Sequence, residues 1–293
     1  MAAGLAKIKR RISSIDSTRK ITNAMELVSS VKLMRKRKAM DNTVEYTASL
    51  GVIIHDCLNG MKEEERQSAS PLLLDETGAK GQGNLYIAVT SSLGLCGGYN
   101  INLIKFLESL IQKDDQVMII GTKGLSKLSE DKINLDIENI SLLDEFSYVK
   151  ARRIRAVMTD TYLKGNFKAI YLVYTKFKNS LTFVPTAEKI LPIQGIEKIG
   201  TNQKEEAYPP DFVPDRKTVF ELLVPKYLDS VLFERFTEAM VCEEGSRRNA
   251  MENATDNADD LHKSLNIIYN KARQAEITSQ ITEIMTGRLV EEE

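Results

Sequence analysis

The prolines constrain most strongly what this chain can fold into. None precedes Pro71 and none follows Pro225, whereas Pro185, Pro192, Pro209, Pro210 and Pro214 crowd the stretch between. Proline removes a backbone donor and clashes with the preceding turn, so both ends are free to form long uninterrupted helices and the middle is not. From Lys226 to Arg288 every residue tolerates a helix, which at 1.5 Å per residue would reach on the order of 90 Å. A globular domain cannot hide that length, so the helix needs a partner.

The spacing of apolar residues says what kind. Met251, Ala254, Ala258, Leu261, Leu265, Ile268, Ala272 and Ala275 alternate steps of three and four, which is the narrow seam of a coiled coil, and the alanines imply a close neighbour. The N-terminal segment offers one. Ile8, Ile12, Ile15, Met25 and Val28 fall on a single seam, with Thr18 and Thr22 as polar interruptions, and the helical pattern runs to about Cys57 before Asn59 and Gly60. A long middle between the two helices favours an antiparallel pair, with the longer C-terminal helix extending past its partner. Ordinary core packing gives similar stripes, but ordinary helices end after about 8 to 20 residues.

Charge is nearly balanced overall, at −1, yet Met1 to Met40 holds eleven Lys and Arg against Asp16 and Glu26 alone. A basic, serine-containing start resembles an organelle transit peptide, which would precede an independent fold. Nucleic-acid binding is disfavoured because no aromatic stacking residues are interleaved and the chain as a whole is not basic. Lys7, Lys9, Arg10, Arg11 and Lys20 fall mostly outside the seam, as a solvated face or one turned toward acidic protein partners. No apolar run approaches the roughly 20 residues of a membrane span, so membrane association would be indirect. Cys57, Cys96 and Cys242 are far apart without CxxC or histidine clustering, which argues for packing residues in a reducing compartment and against a metal site.

The middle, Leu85 to about Ile193, changes period. Leu85–Thr90, Gln116–Gly121 and Ala169–Thr175 read as buried strands, and Asn100–Gln112 and Tyr148–Leu163 as helices between them. Alternation of this kind specifies a small α/β domain with a mainly parallel sheet. Phe177–Phe183, with Lys178-Asn179-Ser180 at its centre, reads as a hairpin turn and so gives the sheet an antiparallel edge, and the polar Thr201–Asp215 reads as the return loop. The expected division is 1–60 N-terminal coiled-coil helix, 61–84 linker, 85–200 Rossmann-like α/β domain, 201–215 linker and 216–293 C-terminal coiled-coil helix.

One loop invites a chemical reading. Ser91–Asn100, SSLGLCGGYN, is glycine-rich and sits between a strand and a helix, where backbone N–H groups can approach a phosphate. Its spacing is neither GxGxxG nor GxxxxGK[ST], and the second strand is followed by Gly121-Thr122-Lys123-Gly124 rather than by an acidic residue. A tight strand-to-helix turn, with Gly94, Gly97 and Gly98 structural, is the simpler account. Neither His55 nor His262 lies in this domain to activate Cys96. No paired carboxylates, HExxH or nucleophile elbow occurs, so no catalytic residue, cofactor or metal ligand is assigned, and Asp256, Asp259 and Asp260 read as a solvated helix face.

Four segments together resemble the gamma subunit of bacterial F-type ATP synthases: IKRRISSIDSTRKITNAMELVSSVKL (Ile8–Leu33), GLCGGYNINL (Gly94–Leu103), SRRNAMENATDNADDL (Ser246–Leu261) and YNKARQAEITSQITEIMTG (Tyr269–Gly287). They occur in the family's order over the whole chain. The resemblance implies an antiparallel coiled coil of the terminal helices with an inserted Rossmann-like α/β domain. It also implies a non-catalytic rotor inside a ring of three alpha and three beta subunits, with an epsilon subunit and a membrane c-ring as further partners. Placement would be peripheral, on the cytoplasmic face of the bacterial plasma membrane. Met25, Arg273, Gln274, Thr278, Thr282 and Glu283 fall where gamma subunits touch beta subunits. The chain departs from the family at Ser92-Leu93, where an Asp-Arg pair is usual, at Gln280, where glutamate is common, and at Arg288, where a small residue is common. From the residues alone two other readings stand beside the rotor. One is a coiled-coil scaffold or tether whose α/β domain binds a nucleotide or peptide, and the other is a nucleotide-dependent enzyme using the glycine loop.

Overall fold

The computed structural model describes residues 2–59, 61–62, 65, 70–73, 81, 83–125, 147–194 and 210–291, with side chains to residue 285 at the C-terminal end. Two helices dominate: α1, Ala2–Asn59, and α5, Arg216–Glu291. Between them lie β1 (Gly83–Val89), α2 (Tyr99–Leu110), β2 (Gln116–Ile120), α3 (Thr122–Leu125), α4 (Tyr148–Leu163), β3 (Phe167–Phe177) and β4 (Phe183–Leu191). The expected fold class is the one observed. The chain forms two compact units, one of residues 1–30 with 247–293 and one of residues 31–246. The hinted return loop at 201–209 and Gly60 lie outside the described residues.

Helix α5 begins at Arg216, where the C-terminal helix was expected to start. The Asp215 carboxylate accepts the Thr218 N–H at 2.9 Å and the Thr218 hydroxyl at 2.8 Å as an N-cap. That bond to the Thr218 backbone holds the Asp215 carboxyl below its ordinary value. Pro225 lies inside the helix, and apolar residues at four-residue steps, Phe220, Val224, Leu228, Leu232 and Phe236, hold that part of α5 against the sheet. Burying each such side chain contributes about 1.5–3 kcal/mol, which is of the order a proline costs in a helix interior.

In the unit of residues 31–246 the sheet has strand order β2-β1-β3-β4, with β1 parallel to both β2 and β3 and β4 antiparallel to β3. Alternation along β1 sorts its side chains. Tyr86 and Ala88 face Leu103, Ile104 and Leu107 of α2. Leu85, Ile87 and Val89 join the larger core, with Ile154 and Met158 of α4, Ile54 and Leu58 of α1, and the α5 row. The hairpin expected at Phe177–Phe183 is present, with those two residues paired. In this unit α1 runs antiparallel to α5: Lys36 meets Glu244 at 3.1 Å and Thr47 meets Ser230 at 2.7 Å, so the numbers rise on one helix and fall on the other.

The unit of residues 1–30 and 247–293 is the coiled coil proper. Arg19 donates to Asp259 at 3.0 Å and the Thr22 and Thr255 hydroxyls meet at 2.8 Å, again antiparallel. The α1 seam contains Ile8, Ile12, Ile15, Thr22 and Met25 as expected. Val28, however, is 55% exposed and Ser29 is buried in its stead. On α5 the seam keeps Met251, Ala258, Leu265 and Ala272 but takes its intermediate members one position later, at Thr255, His262, Tyr269 and Glu276. Leu261, Ile268 and Ala275, assigned to the seam from hydrophobicity, are exposed, while Ala254 is half-buried. Steps of three then four and of four then three both fit a heptad, and hydroxyl pairing at Thr22–Thr255 selects the second phase. Asp259, read as solvated, is the ion-pair partner of Arg19. Lys7, Lys9, Arg10, Arg11 and Lys20 lie on the exposed side.

Candidate functional site

The register in the coiled coil determines which residues can act together. With Arg19 beside Asp259, residue 2 of α1 comes level with about residue 276, so α5 from Ile277 onward runs past the end of its partner. Arg273, Gln274, Thr278, Thr282 and Glu283 cluster at this end, and all are exposed. Gln274, Thr278 and Thr282 form one stripe at four-residue spacing. In it the Thr278 hydroxyl donates to the Gln274 carbonyl and the Thr282 hydroxyl to that of Thr278, each at 2.9 Å. Alongside lie Ile277, Ile281, Ile284 and Met285, between 43% and 66% exposed. Met25 is not part of this cluster. It is half-buried in the seam near Met251, roughly 30 Å from Arg273 at 1.5 Å per residue.

The exposed apolar row is the chemical content of this end. Water-facing isoleucines at helical spacing, continued beyond the last residue of the partner helix, make an exposed apolar patch of the kind that marks an interaction surface. A cation, a carboxylate, an amide and two hydroxyls beside the row supply polar contacts.

The glycine loop is built differently. Gly97 has φ +56, in the left-handed region, and Gly98 precedes the first turn of α2. Gly94 is unconfined, with a built Cβ no closer than 4.0 Å to Lys123. Gly121, just after β2, is tightly confined and was not singled out from sequence: its φ is +100 and a Cβ would stand 2.2 Å from the Thr90 carbonyl oxygen. Leu95 also adopts a left-handed φ of +63, a conformation that costs a leucine about 1–2 kcal/mol. Asn100 organises the loop, accepting the Ser91 N–H at 3.0 Å and donating to the Ser91 hydroxyl at 2.7 Å and to Cys96 Sγ at 3.4 Å.

In a sheet of this order a ligand would enter between the carboxyl ends of β1 and β3, where the chain switches direction across the sheet. Here Tyr99 fills that crevice. Its buried hydroxyl donates to the Ala239 carbonyl of α5 at 3.2 Å and lies 3.5 Å from that of Val89, and its ring packs with Cys96 and Cys242. Burial pushes the Tyr99 hydroxyl and the Cys242 thiol well above their ordinary values and raises Cys57 to about 11, so these groups stay protonated and inert. Among the described residues no group of three or more His, Cys, Asp or Glu is placed to hold a metal ion.

Comparison with known proteins identifies the family and the fold. A family described as ATP synthase matches residues 4–288. The ATP synthase gamma chain of Mesoplasma florum is 37% identical over 285 residues, 97% of this chain and 98% of that one. That of Alkaliphilus metalliredigens is 35% identical over 295 residues, 98% of each. Among solved structures, a chain of the Euglena gracilis mitochondrial ATP synthase OSCP/F1/c-ring assembly superposes with a TM-score of 0.70 at 17% identity. It covers 99% of this chain and 95% of its own length. A chain of the Tetrahymena thermophila central stalk and c-ring gives 0.60 at 22% identity, over 80% and 99% respectively. At those identities the structures attest to the fold, and the gamma-chain relatives, matched from end to end, attest to the family. The chain belongs to the ATP synthase gamma chain family.

Proposed function

We propose that the chain is non-catalytic and works as an asymmetric shaft, with the stretch of α5 beyond Ile277 bearing on the inner wall of a ring of three alpha and three beta subunits. The observation that carries this is the exposed row Ile277, Ile281 and Ile284, beside Arg273, Gln274, Thr278, Thr282 and Glu283, on a helix that has outrun its partner. A shaft without threefold symmetry touches three beta subunits differently and biases each toward a different conformation and nucleotide affinity. Turning it exchanges those biases. Nucleotide chemistry then belongs to the ring, in keeping with the crevice that Tyr99 fills. Met25 contributes from the seam, and Gly94, Gly97 and Gly98 shape the turn into α2.

An epsilon subunit and a membrane c-ring are the expected further partners, and no nucleic acid or cofactor is needed. No described helix is long and apolar enough to cross a membrane, so the attachment is through those partners, at the cytoplasmic face of a bacterial plasma membrane. Substituting Arg273→Ala and Gln274→Ala in the assembled complex tests the shaft contacts. Truncating a buried, hydrogen-bonded arginine costs a few kcal/mol and a solvated one about 0 to 0.5. Coupled ATP synthesis and hydrolysis should fall while the helicity of the isolated chain is unchanged. Normal turnover in complexes carrying both substitutions would show that this segment does not transmit torque. A scaffold or tether would instead purify alone or as a symmetric homo-oligomer.

A further inference from the structure

Within the unit of residues 31–246, α1, α4 and α5 enclose an open groove of about 710 Å³. Its floor is polar but closed on itself: Arg155 Nε donates to Asp229 at 2.8 Å, and both side chains are largely buried. Its walls are aromatic, with Tyr148 set edge-on to Phe233 at 5.8 Å and Tyr46 half exposed across from them. Leu222 stands on the rim, 64% exposed. Arg152 and Lys226 also line the groove, both exposed and neither with an ion-pair partner among the described residues.

Arg152 does not stabilise α4, the helix that carries it. From Tyr148 to Arg155, the first two turns of α4 hold Lys150, Arg152, Arg153 and Arg155 and no acid. Positive charge at a helix N-terminus opposes the macrodipole, so this pattern weakens α4 when alone and strengthens it when an anion sits nearby. A polyanion such as nucleic acid would also meet the exposed Glu221, which repels it. A segment with a few separated carboxylates and an apolar side chain between them satisfies the cations, avoids Glu221 and covers Tyr46 and Leu222 at once.

We infer that this groove is a docking surface for an acidic, apolar-bearing segment of a partner protein, held by Arg152 and Lys226 at its mouth and by Tyr46, Tyr148 and Phe233 within. The inference rests on the reading that the chain works inside a multi-subunit complex. Arg155 takes no part in charge recognition, because Asp229 already neutralises it.

The test is photo-cross-linking in the purified complex, with p-benzoylphenylalanine in place of Leu222 and the cross-linked peptides identified by mass spectrometry. The expected product is a single neighbouring subunit, joined through a peptide with at least two Asp or Glu residues. Reversing both cations, Arg152→Glu with Lys226→Glu, should lower the yield by about tenfold or more, because like charges are then juxtaposed across the contact. Neutral Arg152→Gln with Lys226→Gln should give an intermediate loss. Products confined to this chain, to a second copy of it, or to peptides without acids would overturn the proposal, as would no product or a yield indifferent to both cations. A complex that contains this chain but shows no such cross-link sinks the docking surface alone. A chain that never co-purifies with ring subunits sinks the rotor reading instead.

Discussion

Arg235 grips Glu188 with two nitrogens, Nε to Oε2 at 2.6 Å and Nη2 to Oε1 at 3.1 Å, and so bolts the edge strand β4 to the long helix α5. The same carboxylate accepts the Tyr174 hydroxyl at 3.2 Å, and Glu234 contacts the guanidinium from the other side. Removing one partner leaves the other charge stranded in a half-buried setting. Glu188→Gln or Arg235→Met should each destabilise the chain by about 1–3 kcal/mol, below the cost for a fully buried pair because water still reaches both groups. The double variant should recover part of the loss. Urea unfolding of the three variants checks it, and additive losses would mean the pair is not coupled.

Glu238 gives the fold a pH dependence of predictable sign. Burial raises its carboxyl above the ordinary 4.5, although it accepts the Phe177 N–H at 3.0 Å. In the folded state it therefore binds a proton more readily than in the unfolded state, so its contribution to stability falls as pH rises from 4.5 through the raised value. Glu238→Gln, which can still accept from Phe177, should be more stable than the parent at neutral pH, and the advantage should vanish below pH 4.5. Thermal melts of both proteins across that range decide it; an advantage independent of pH would assign the effect to something other than ionisation.

The coiled-coil phase is open to a direct comparison. Ala258 is 6% exposed and Leu261 is 51% exposed. In the isolated chain Ala258→Asp should cost about 2 kcal/mol or more, by burying an unpaired carboxylate, and Leu261→Asp less than about 0.5. Changing Ile12 and Ile15 together to aspartate should likewise abolish pairing and prevent assembly. Circular dichroism during thermal unfolding reads each case. Equal losses at 258 and 261 would restore the phase suggested by hydrophobicity.

Two glycines separate turn geometry from mere flexibility. Gly121→Ala forces a Cβ to 2.2 Å from the Thr90 carbonyl oxygen at φ +100, which should cost about 2–4 kcal/mol, whereas Gly94→Ala should lie within about 0.5 of the parent. Denaturant midpoints suffice, and a tolerant position 121 would mean that the β1 and β2 ends are free to spread.

Much of this architecture was legible because it rests on short-range rules. Proline-free ends, a three-and-four repeat and runs such as AIYLVYT announce rods and buried strands without any knowledge of contacts. What escaped depends on partners distant in sequence. The hairpin announced an antiparallel edge, but the extent of FVPTAEKIL as a strand was not given by its own pattern, because β4 is mostly half-buried and tolerates Pro185 and polar residues. How α5 accommodates Pro225 in its interior depends on packing against a sheet made elsewhere. The seam phase turned on a hydroxyl pair spanning 233 residues, and Tyr99 secures its crevice through a carbonyl 140 residues away. At the shaft end, which α5 residues lie together follows from helical spacing. That Met25 stands far from them required the register.

Where α5 outruns α1, the chain changes from two strands to one, and its mechanical character changes with it. Resistance to bending and twisting grows steeply with cross-section, so the paired portion is stiff and the stretch from Ile277 to Glu291 is compliant. A load applied at that end is taken up first as elastic deformation of a lone helix.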